Sequence, residues 1–441
     1  MICKFSLENY KAFGERADLD FFANKNIKRF DYNYLDYLGL DILKTIGIYG
    51  PNNTGKTCLL TSLIDLKVLM LNEQHSSFSS AFAKKGEITS FSIEYLINGR
   101  FYRYCLDYDN SSRQYLHESL FLLAISAVSS TKTKIFERTS SSLNWIDMEK
   151  SLKNANVIKL FSPSFPFMIV FNDDENSLLK QAKQDYLDFA NSITFLKMDE
   201  KVDISNTIKL IQSNPKAAKF IKEFVKNCDL HISDFGFDNN VYSDTPIDDK
   251  LHNVLNDPSF SKENLKLYSL HNGYRVPSIL FESSGTLKLI ALSGYIYDAL
   301  SNGKILIVDE IDSSLHHILT KSIVAMFSNM LNNKAQLIFS TQDALLLDLK
   351  EMFRKDQIYL VDISNSSSSK VSRLSSYTSR GKNGIRGDED IVEYYLKGQF
   401  GSIPSPDLFS SLEEAIGKDC LRKKKKCFDY SGRLRRKTLY R

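Results

Sequence analysis

The chain has 441 residues, 43% of them hydrophobic and 25% charged, a composition ordinary for a globular protein with a large core and two or three structural units. No apolar run approaches membrane-spanning length, the opening Met1-Ile2-Cys3-Lys4-Phe5-Ser6 lacks the apolar region of a signal peptide, and the six cysteines (Cys3, Cys58, Cys105, Cys228, Cys420, Cys427) form no C-x-x-C pair. The expectation is a reduced, cytoplasmic protein with free thiols, no membrane contact and no zinc site. The net charge of +4 conceals a basic tail: residues 421–441 hold ten Lys/Arg against the single acid Asp429, so the rest of the chain is mildly acidic.

In chain order, Ile2 to Phe13 reads as a short half-buried strand that turns at Asn9, and Ala17 to Phe22 as a second strand. A polar, aromatic connection leads to Thr45-Ile46-Gly47-Ile48-Tyr49, an apolar and β-leaning run. Directly after it stands Gly50-Pro51-Asn52-Asn53-Thr54-Gly55-Lys56-Thr57, and then Cys58 to Ile64 with leucines at helical spacing, continuing as helix to about residue 75. Strand, glycine loop and helix are the context in which G-x-x-x-x-G-K-[ST] spacing cradles phosphates. Gly50 and Gly55 let backbone N–H groups turn inward, and the following helix adds its positive end. Lys56 is expected to reach the β- and γ-phosphates and the Thr57 hydroxyl to ligate Mg²⁺. The nucleotide-contacting set is therefore Gly50 through Cys58.

From Ile88 to Tyr108 two alternating runs split by Asn98-Gly99 signal a β-hairpin, with further strand-like pieces to about residue 147. Residues 174–230 become Lys/Asp/Asn-rich with helical spacing at Leu178, Leu179, Ala182, Tyr186, Phe189 and Ile193, and a second helix spans roughly residues 215–228. No sustained heptad repeat is present, which favours a compact helical insertion over a coiled-coil arm. Residues 231–275 are polar and give no assignment. Thr286 to Leu300 then reads as an amphipathic helix, Lys304 to Asp309 as a buried strand, residues 313–331 as helix and Gln336 to Thr341 as a strand. Gln357 to Ile363 and Lys370 to Tyr377 form a strand pair, and the chain is loop-rich after Gly381. The expected division is 1–147, 148–275 (mainly helical), 276–378 and 379–441.

Ile305-Leu306-Ile307-Val308-Asp309-Glu310 supplies the second half of a nucleotide site. A buried strand that ends in an aspartate is how P-loop enzymes hold Mg²⁺, and the adjacent Glu310 is placed to orient or deprotonate an attacking water. Roughly 250 residues separate Lys56 from Asp309, too many for a compact P-loop domain. The fold class expected is α/β: a split P-loop head with a mixed sheet, an antiparallel β subdomain and a helical insertion. Upstream, Glu282-Ser283-Ser284-Gly285-Thr286 opens a helix, where it reads either as an ordinary N-cap or as a second anion-binding helix end. The guanine-selecting N-K-x-D is absent, since Asn333-Lys334-Ala335-Gln336 lacks the carboxylate, so ATP is the expected nucleotide.

Together these stretches resemble the ABC-type ATPase heads of SMC, RecF and OLD proteins, which share an F-x-L-x-N-[FY]-K-x-F opening (here Phe5 to Phe13), a G-x-N-x-x-G-K-[ST] loop, a Ser-x-Gly signature and an Asp-Glu pair. Closer still, Glu282 to Thr286, Asp309-Glu310-Ile311-Asp312-Ser313-Ser314-Leu315-His316, Arg354 to Tyr359 and Tyr395-Leu396-Lys397-Gly398-Gln399-Phe400-Gly401-Ser402-Ile403-Pro404 resemble the RloA/AbiLi-type ATP-binding proteins of bacterial abortive infection and anti-phage defence. The resemblance covers roughly residues 1–110 and 275–405. It implies a head-to-tail pair in which ATP is clamped between the phosphate loop of one subunit and Ser283, Ser284 and Gly285 of the other, with Ser313 to His316 passing between the two sites.

Two departures carry weight. Gln342 stands where these heads usually place a histidine near the γ-phosphate, and an amide hydrogen-bonds without carrying a proton, which implies slow hydrolysis and a switch rather than a motor. The glutamine that normally meets Mg²⁺ has only Gln74 and Gln114 as candidates. The basic tail reads equally as a nucleic-acid contact or as a solvated end, and Asp388-Glu389-Asp390 as a loop cluster rather than a nuclease centre. The reading is an ATP- and Mg²⁺-dependent switch that pairs through its heads and controls a separate effector such as a nuclease or toxin. The alternative is a RecF-like, ATP-dependent DNA-binding protein of repair or replication.

Overall fold

The computed structural model describes residues 1–37, 39–73, 78–80, 82, 88–124, 132–139, 142–144, 163–170, 177–198, 203–238, 262–364, 367–377, 391–398, 400 and 411. Gln74, the Asp388-Glu389-Asp390 cluster and the basic tail lie outside the described residues. The first strands in chain order are β1 (Ile2–Glu8), β2 (Ala17–Asp20), β3 (Tyr34–Tyr37), β4 (Leu40–Leu43) and β5 (Thr45–Tyr49). They are followed by β6 (Ile88–Ile97), β7 (Arg100–Asp109), β8 (Gln114–Leu123), β9 (Lys132–Thr139), β10 (Ser142–Asn144) and β11 (Ile193–Lys197). The remainder are β12 (Asp234–Phe237), β13 (Leu267–His271), β14 (Tyr274–Pro277), β15 (Ile305–Asp309), β16 (Gln336–Thr341), β17 (Ile358–Ile363) and β18 (Ser369–Arg373). The longer helices are α1 (Lys56–Leu71), α2 (Ser177–Ser192), α3 (Ser205–Ser213), α4 (Pro215–Asn227), α5 (Ser284–Asn302), α6 (His317–Phe327) and α7 (Ile391–Leu396).

Two sheets carry the architecture. One is wholly antiparallel, in the order β10-β9-β8-β7-β6-β1-β2, with the Asn98-Gly99 hairpin at the turn between β6 and β7. The other runs β11-β15-β16-β5-β17-β18, parallel throughout except for the β17–β18 pair. Parallel strands need cover on both faces, and the near-continuous apolar runs of β5, β15 and β16 are buried accordingly. Successive side chains alternate: Ile305, Ile307 and Ile338 join the core shared with α1 and the antiparallel sheet, while Leu306, Val308, Leu337 and Phe339 join the core under α5 and α6. Helix α1 is covered from both sides, which is why Leu59, Leu60, Leu63, Leu66, Leu69 and Met70 are all buried. This is the mixed α/β architecture of a split P-loop head.

Within 148–275 the described residues are mainly helical, but they also contribute strands. Helix α2 docks on the β6–β7 hairpin, with Phe189 stacked on Tyr95 at 3.9 Å between ring centroids. It runs directly into β11, which pairs parallel with β15 from Ile193↔Ile305 to Lys197↔Asp309 and so belongs to the central sheet. Ile193, read as the last residue of the helical pattern, is instead the first of a strand. Its spacing fits the helix, but the β-branched and aromatic run Ile193-Thr194-Phe195 meets an open sheet edge, and pairing decides. Residues 234–237 and 267–277 form a further three-stranded sheet, β12-β13-β14. With α3 and α4 it encloses a smaller core against α5 (Ile208, Ala217, Ile221, Val225, Phe235, Ile290, Ala291). Pro215 opens α4, and Asn214 caps it by accepting from the N–H groups of Lys216 and Ala217.

Buried polar ties fix these units. Asp185 of α2 accepts from Arg100, Asn98 and Tyr102 of the hairpin. Burial would raise its carboxyl, but the hydrogen bonds from Arg100, Asn98 and Tyr102 outweigh that and hold it below the usual carboxylate range. The Arg354-Lys355-Asp356-Gln357 motif does comparable work. Arg354 donates to Asp356 and to the carbonyls of Asn24, Ile27 and Arg29, filling its guanidinium, and Asp356 accepts from the Asn24 N–H at 2.6 Å. Gln357 joins Asn33 to Thr45 at the start of β5. The motif therefore pins the connection that delivers the phosphate loop. Arg354→Ala should lower the unfolding free energy by about 3–5 kcal/mol, because it strands a buried carboxylate; urea titration showing a loss within the scatter of surface substitutions would contradict this.

Candidate nucleotide site

The site lies beyond the carboxyl ends of β5, β15 and β16, where a parallel sheet delivers every loop to one edge. Gly50 to Gly55 wrap between β5 and α1. Gly55 has φ 103°, and a Cβ there would come within 2.6 Å of the Ser369 hydroxyl, so only glycine suits both the turn and the approach. The loop is tied from within and without. Thr54 Oγ1 donates to the Pro51 carbonyl at 2.9 Å, and Ser369 Oγ donates to the Thr54 carbonyl at 2.6 Å. The buried Lys56 ammonium donates to the carbonyls of Gly50 and Pro51, both at 2.8 Å. Burial lowers Lys56 from the ordinary lysine value, and the nearby carboxylates of Glu310, Asp309 and Asp312 act in the opposite direction. Helix α1 begins at Lys56, so its first-turn N–H groups lack intrahelical acceptors and face the loop, as an anion site requires.

Opposite the loop, the Thr57 hydroxyl donates to Asp309 Oδ2 at 2.7 Å, across 252 residues of sequence. The other oxygen of this fully buried carboxylate, Oδ1, accepts from Ser340 Oγ. Glu310 follows with φ 53°, a left-handed conformation that costs a non-glycine residue roughly 1–3 kcal/mol. That kink turns the chain off the strand axis directly after the aspartate. Gln342 Nε2 lies 3.4 Å from Glu310 Oε1, and the Gln342 N–H lies 3.4 Å from Asp312 Oδ2. Asp312 Oδ1 is buried and finds no hydrogen-bond donor among the described residues. A hydroxyl and carboxylates, hard oxygen donors beside a lysine and free helix N–H groups, are the chemistry that Mg²⁺ with a polyphosphate demands. Thr57 and Asp309 would hold the ion.

Lys56, Thr57, Asp309, Glu310 and Gln342 thus share one edge, with Pro51 to Thr54 forming the loop and Cys58 half-buried in the first turn of α1. The Ser283-Ser284-Gly285 turn opens helix α5. Ser283 caps α5, its Oγ accepting from the Thr286 N–H at 3.1 Å, and both serines are exposed. A Cβ on Gly285 would approach the Ser314 carbonyl to 2.7 Å, and Lys288 Nζ reaches the Ser313 and Ser314 hydroxyls at 3.4 and 3.3 Å. The turn therefore rests on the Ser313–His316 loop of its own chain. Gln114 starts β8, paired with Asp109 at the end of the β7–β8 hairpin.

Three residues of the site went unread in the sequence: Ser340, Ser369 and Asp312. Ser340 stands two residues before Gln342, the position the sequence singled out, without itself being given a role, and Ser369 stands in a strand with no motif around it. Asp312 had a signal, an acid two positions beyond Glu310. Thr57→Ala and Asp309→Asn should each destabilise the fold, and their double-mutant cycle should show coupling of about 1.5–3 kcal/mol, the value of a hydrogen bond to a charged group. Additive effects in denaturant titration would contradict the contact.

Among curated proteins none matches this chain. Among solved structures it is similar to the SMC head domain from Thermotoga maritima, at 11% identity over 84% of this chain and 98% of that one, with a TM-score of 0.39. It is also similar to an SMC head bound to the C-winged helix domain of ScpA, at 13% identity over 84% and 97%, TM-score 0.44. A third likeness is the SMC head with an extended coiled coil bound to the C-terminal domain of ScpA from Pyrococcus furiosus, at 12% identity over 84% and 95%, TM-score 0.39. Residues 46–348, from within β5 to beyond Gln342, match the family described as "AAA domain, putative AbiEii toxin, Type IV TA system". That match takes in the phosphate loop, the Asp309-Glu310 pair and most of the chain, and the protein belongs to this AAA family of ATPase domains.

Proposed function

We propose that this protein is a slow ATPase that acts as a switch: its heads pair head-to-tail around ATP and control a separate effector, such as a nuclease or toxin, in bacterial anti-phage defence. The observation that carries the ATPase reading is the Thr57–Asp309 hydrogen bond at 2.7 Å, which joins the two halves of the chain at one phosphate-binding edge. Lys56 and the first-turn N–H groups of α1 neutralise and orient the β- and γ-phosphates. Thr57 and Asp309 would hold Mg²⁺, which would supply charge neutralisation to the triphosphate. Glu310 orients the attacking water and accepts its proton. The Gln342 amide, 3.4 Å from Glu310, steadies that carboxylate but relays no proton, which supports slow turnover.

Pairing is supported by what surrounds the site. Ser283 and Ser284 are exposed at the start of the 19-residue helix α5, open to a second copy's ATP. Large apolar side chains stand in solvent around the same features: Phe281 is 60% exposed beside the serines, Ile318 59% at the start of α6, and Leu345 58% beyond Gln342. Exposed apolar side chains of this kind are what a partner's surface would cover. The defence role draws on the family description and on the resemblance of Glu282–Thr286, Asp309–His316 and Arg354–Tyr359 to the RloA/AbiLi-type proteins. Among the described residues no helix is long and apolar enough to cross a membrane, and we place the protein in the cytoplasm.

Glu310→Gln tests the reading. The variant should bind ATP with wild-type affinity, lose turnover by at least about 100-fold and accumulate as an ATP-dependent pair in light scattering. Unchanged turnover would remove Glu310 from the chemistry, and a monomer at saturating ATP would remove the pairing.

A further inference from the structure

Ser340 sits near the end of β16, in the middle of the parallel sheet, and is fully buried. It lies on the same strand face as Ile338, the face turned to α1 and the phosphate loop. An unpaired hydroxyl in such a position is costly, and this one is occupied entirely by the acid pair. Its Oγ donates to Asp309 Oδ1 at 2.5 Å and accepts from the Glu310 N–H at 2.8 Å. Its own carbonyl accepts from the Ile311 N–H at 3.1 Å. One residue thus grips three consecutive residues of the neighbouring strand end, and the middle one is the glutamate held at φ 53°.

We infer that Ser340 is a positioning residue for ATP hydrolysis, setting the Asp309 carboxylate against Thr57 and locking the left-handed turn that aims Glu310. With Oδ2 engaged by Thr57 and Oδ1 by Ser340, the Asp309 carboxylate is held in one orientation, from which it would hold Mg²⁺ together with Thr57. Without the Ser340 acceptor, the Glu310 N–H loses the contact that favours its unusual φ, and the chain relaxes toward an extended conformation that swings the carboxylate away. The hydroxyl therefore acts on rate more than on nucleotide affinity, which comes from the phosphate loop. This inference rests on the ATPase reading above.

The experiment compares wild-type protein with Ser340→Cys, which keeps the shape and removes the strong hydrogen bonds, and with Ser340→Thr, which keeps the hydroxyl. Steady-state ATP hydrolysis and binding of a fluorescent ATP analogue are measured across a Mg²⁺ series. S340C should lower kcat by about 10- to 100-fold, the usual cost of losing an orienting partner, while KM and analogue affinity stay within about threefold. It should also shift the half-maximal Mg²⁺ concentration upward, and S340T should recover most of the rate. Wild-type kcat in S340C overturns the inference, as does an equal loss in S340C and S340T or a parallel loss of analogue binding. Absence of hydrolysis in the wild-type protein overturns the ATPase reading instead, so the two failures are distinct.

Discussion

One hydrogen bond, from the Thr57 hydroxyl to the Asp309 carboxylate, states the constraint on which the rest of the structure depends. Two segments 252 residues apart must end at the same edge, with the same polarity, within reach of each other. A parallel sheet solves this geometrically. In the order β15-β16-β5, the loop after β5 leads into Lys56 and Thr57 at the start of α1, β15 ends in Asp309, and the intervening β16 ends in Ser340 and Thr341 with Gln342 directly after it. All three strands point the same way, so their carboxyl ends form one rim. The residues between the halves build five of the seven strands of the antiparallel sheet, the α3–α4 unit and an edge strand of the parallel sheet itself.

That sheet is held in register by buried polar contacts as much as by its apolar faces. Gln357 bonds Thr45 at the foot of β5, and Arg354 and Asp356 gather the preceding connection. Asp185 fastens α2, and through it β11, to the β6–β7 hairpin. Each of these groups is costly to bury alone and tolerable only in its full set of partners, which favours one arrangement over many. Rigid delivery suits a site whose groups have to meet a triphosphate at hydrogen-bond distances.

Much of this was legible in the sequence because the signals are local. The glycine loop between an apolar strand and a leucine-rich helix, the Asn98-Gly99 hairpin and the apolar run into Asp309-Glu310 are each complete within about twenty residues. The split fold followed from the distance between two such signals. What escaped depends on contacts between segments far apart in the chain. Ile193 fits a helix by spacing and becomes a strand because β15 offers it an edge. Ser340 looks like one polar residue in a strand, and its meaning lies in two hydrogen bonds to a neighbouring strand some thirty residues earlier. Arg354 to Gln357 were recognisable as a motif without revealing that their partners are residues 24 to 45.

The central claim is that both halves of the chain act on one magnesium-bound ATP, and calorimetric titration of the full chain with ATP, first with Mg²⁺ and then with the metal chelated, tests it most directly. The account predicts saturable binding at one site per chain that weakens on the order of tenfold or more, about 1.4 kcal/mol, when Mg²⁺ is removed. Titration without measurable binding, or with an affinity indifferent to magnesium, would contradict it.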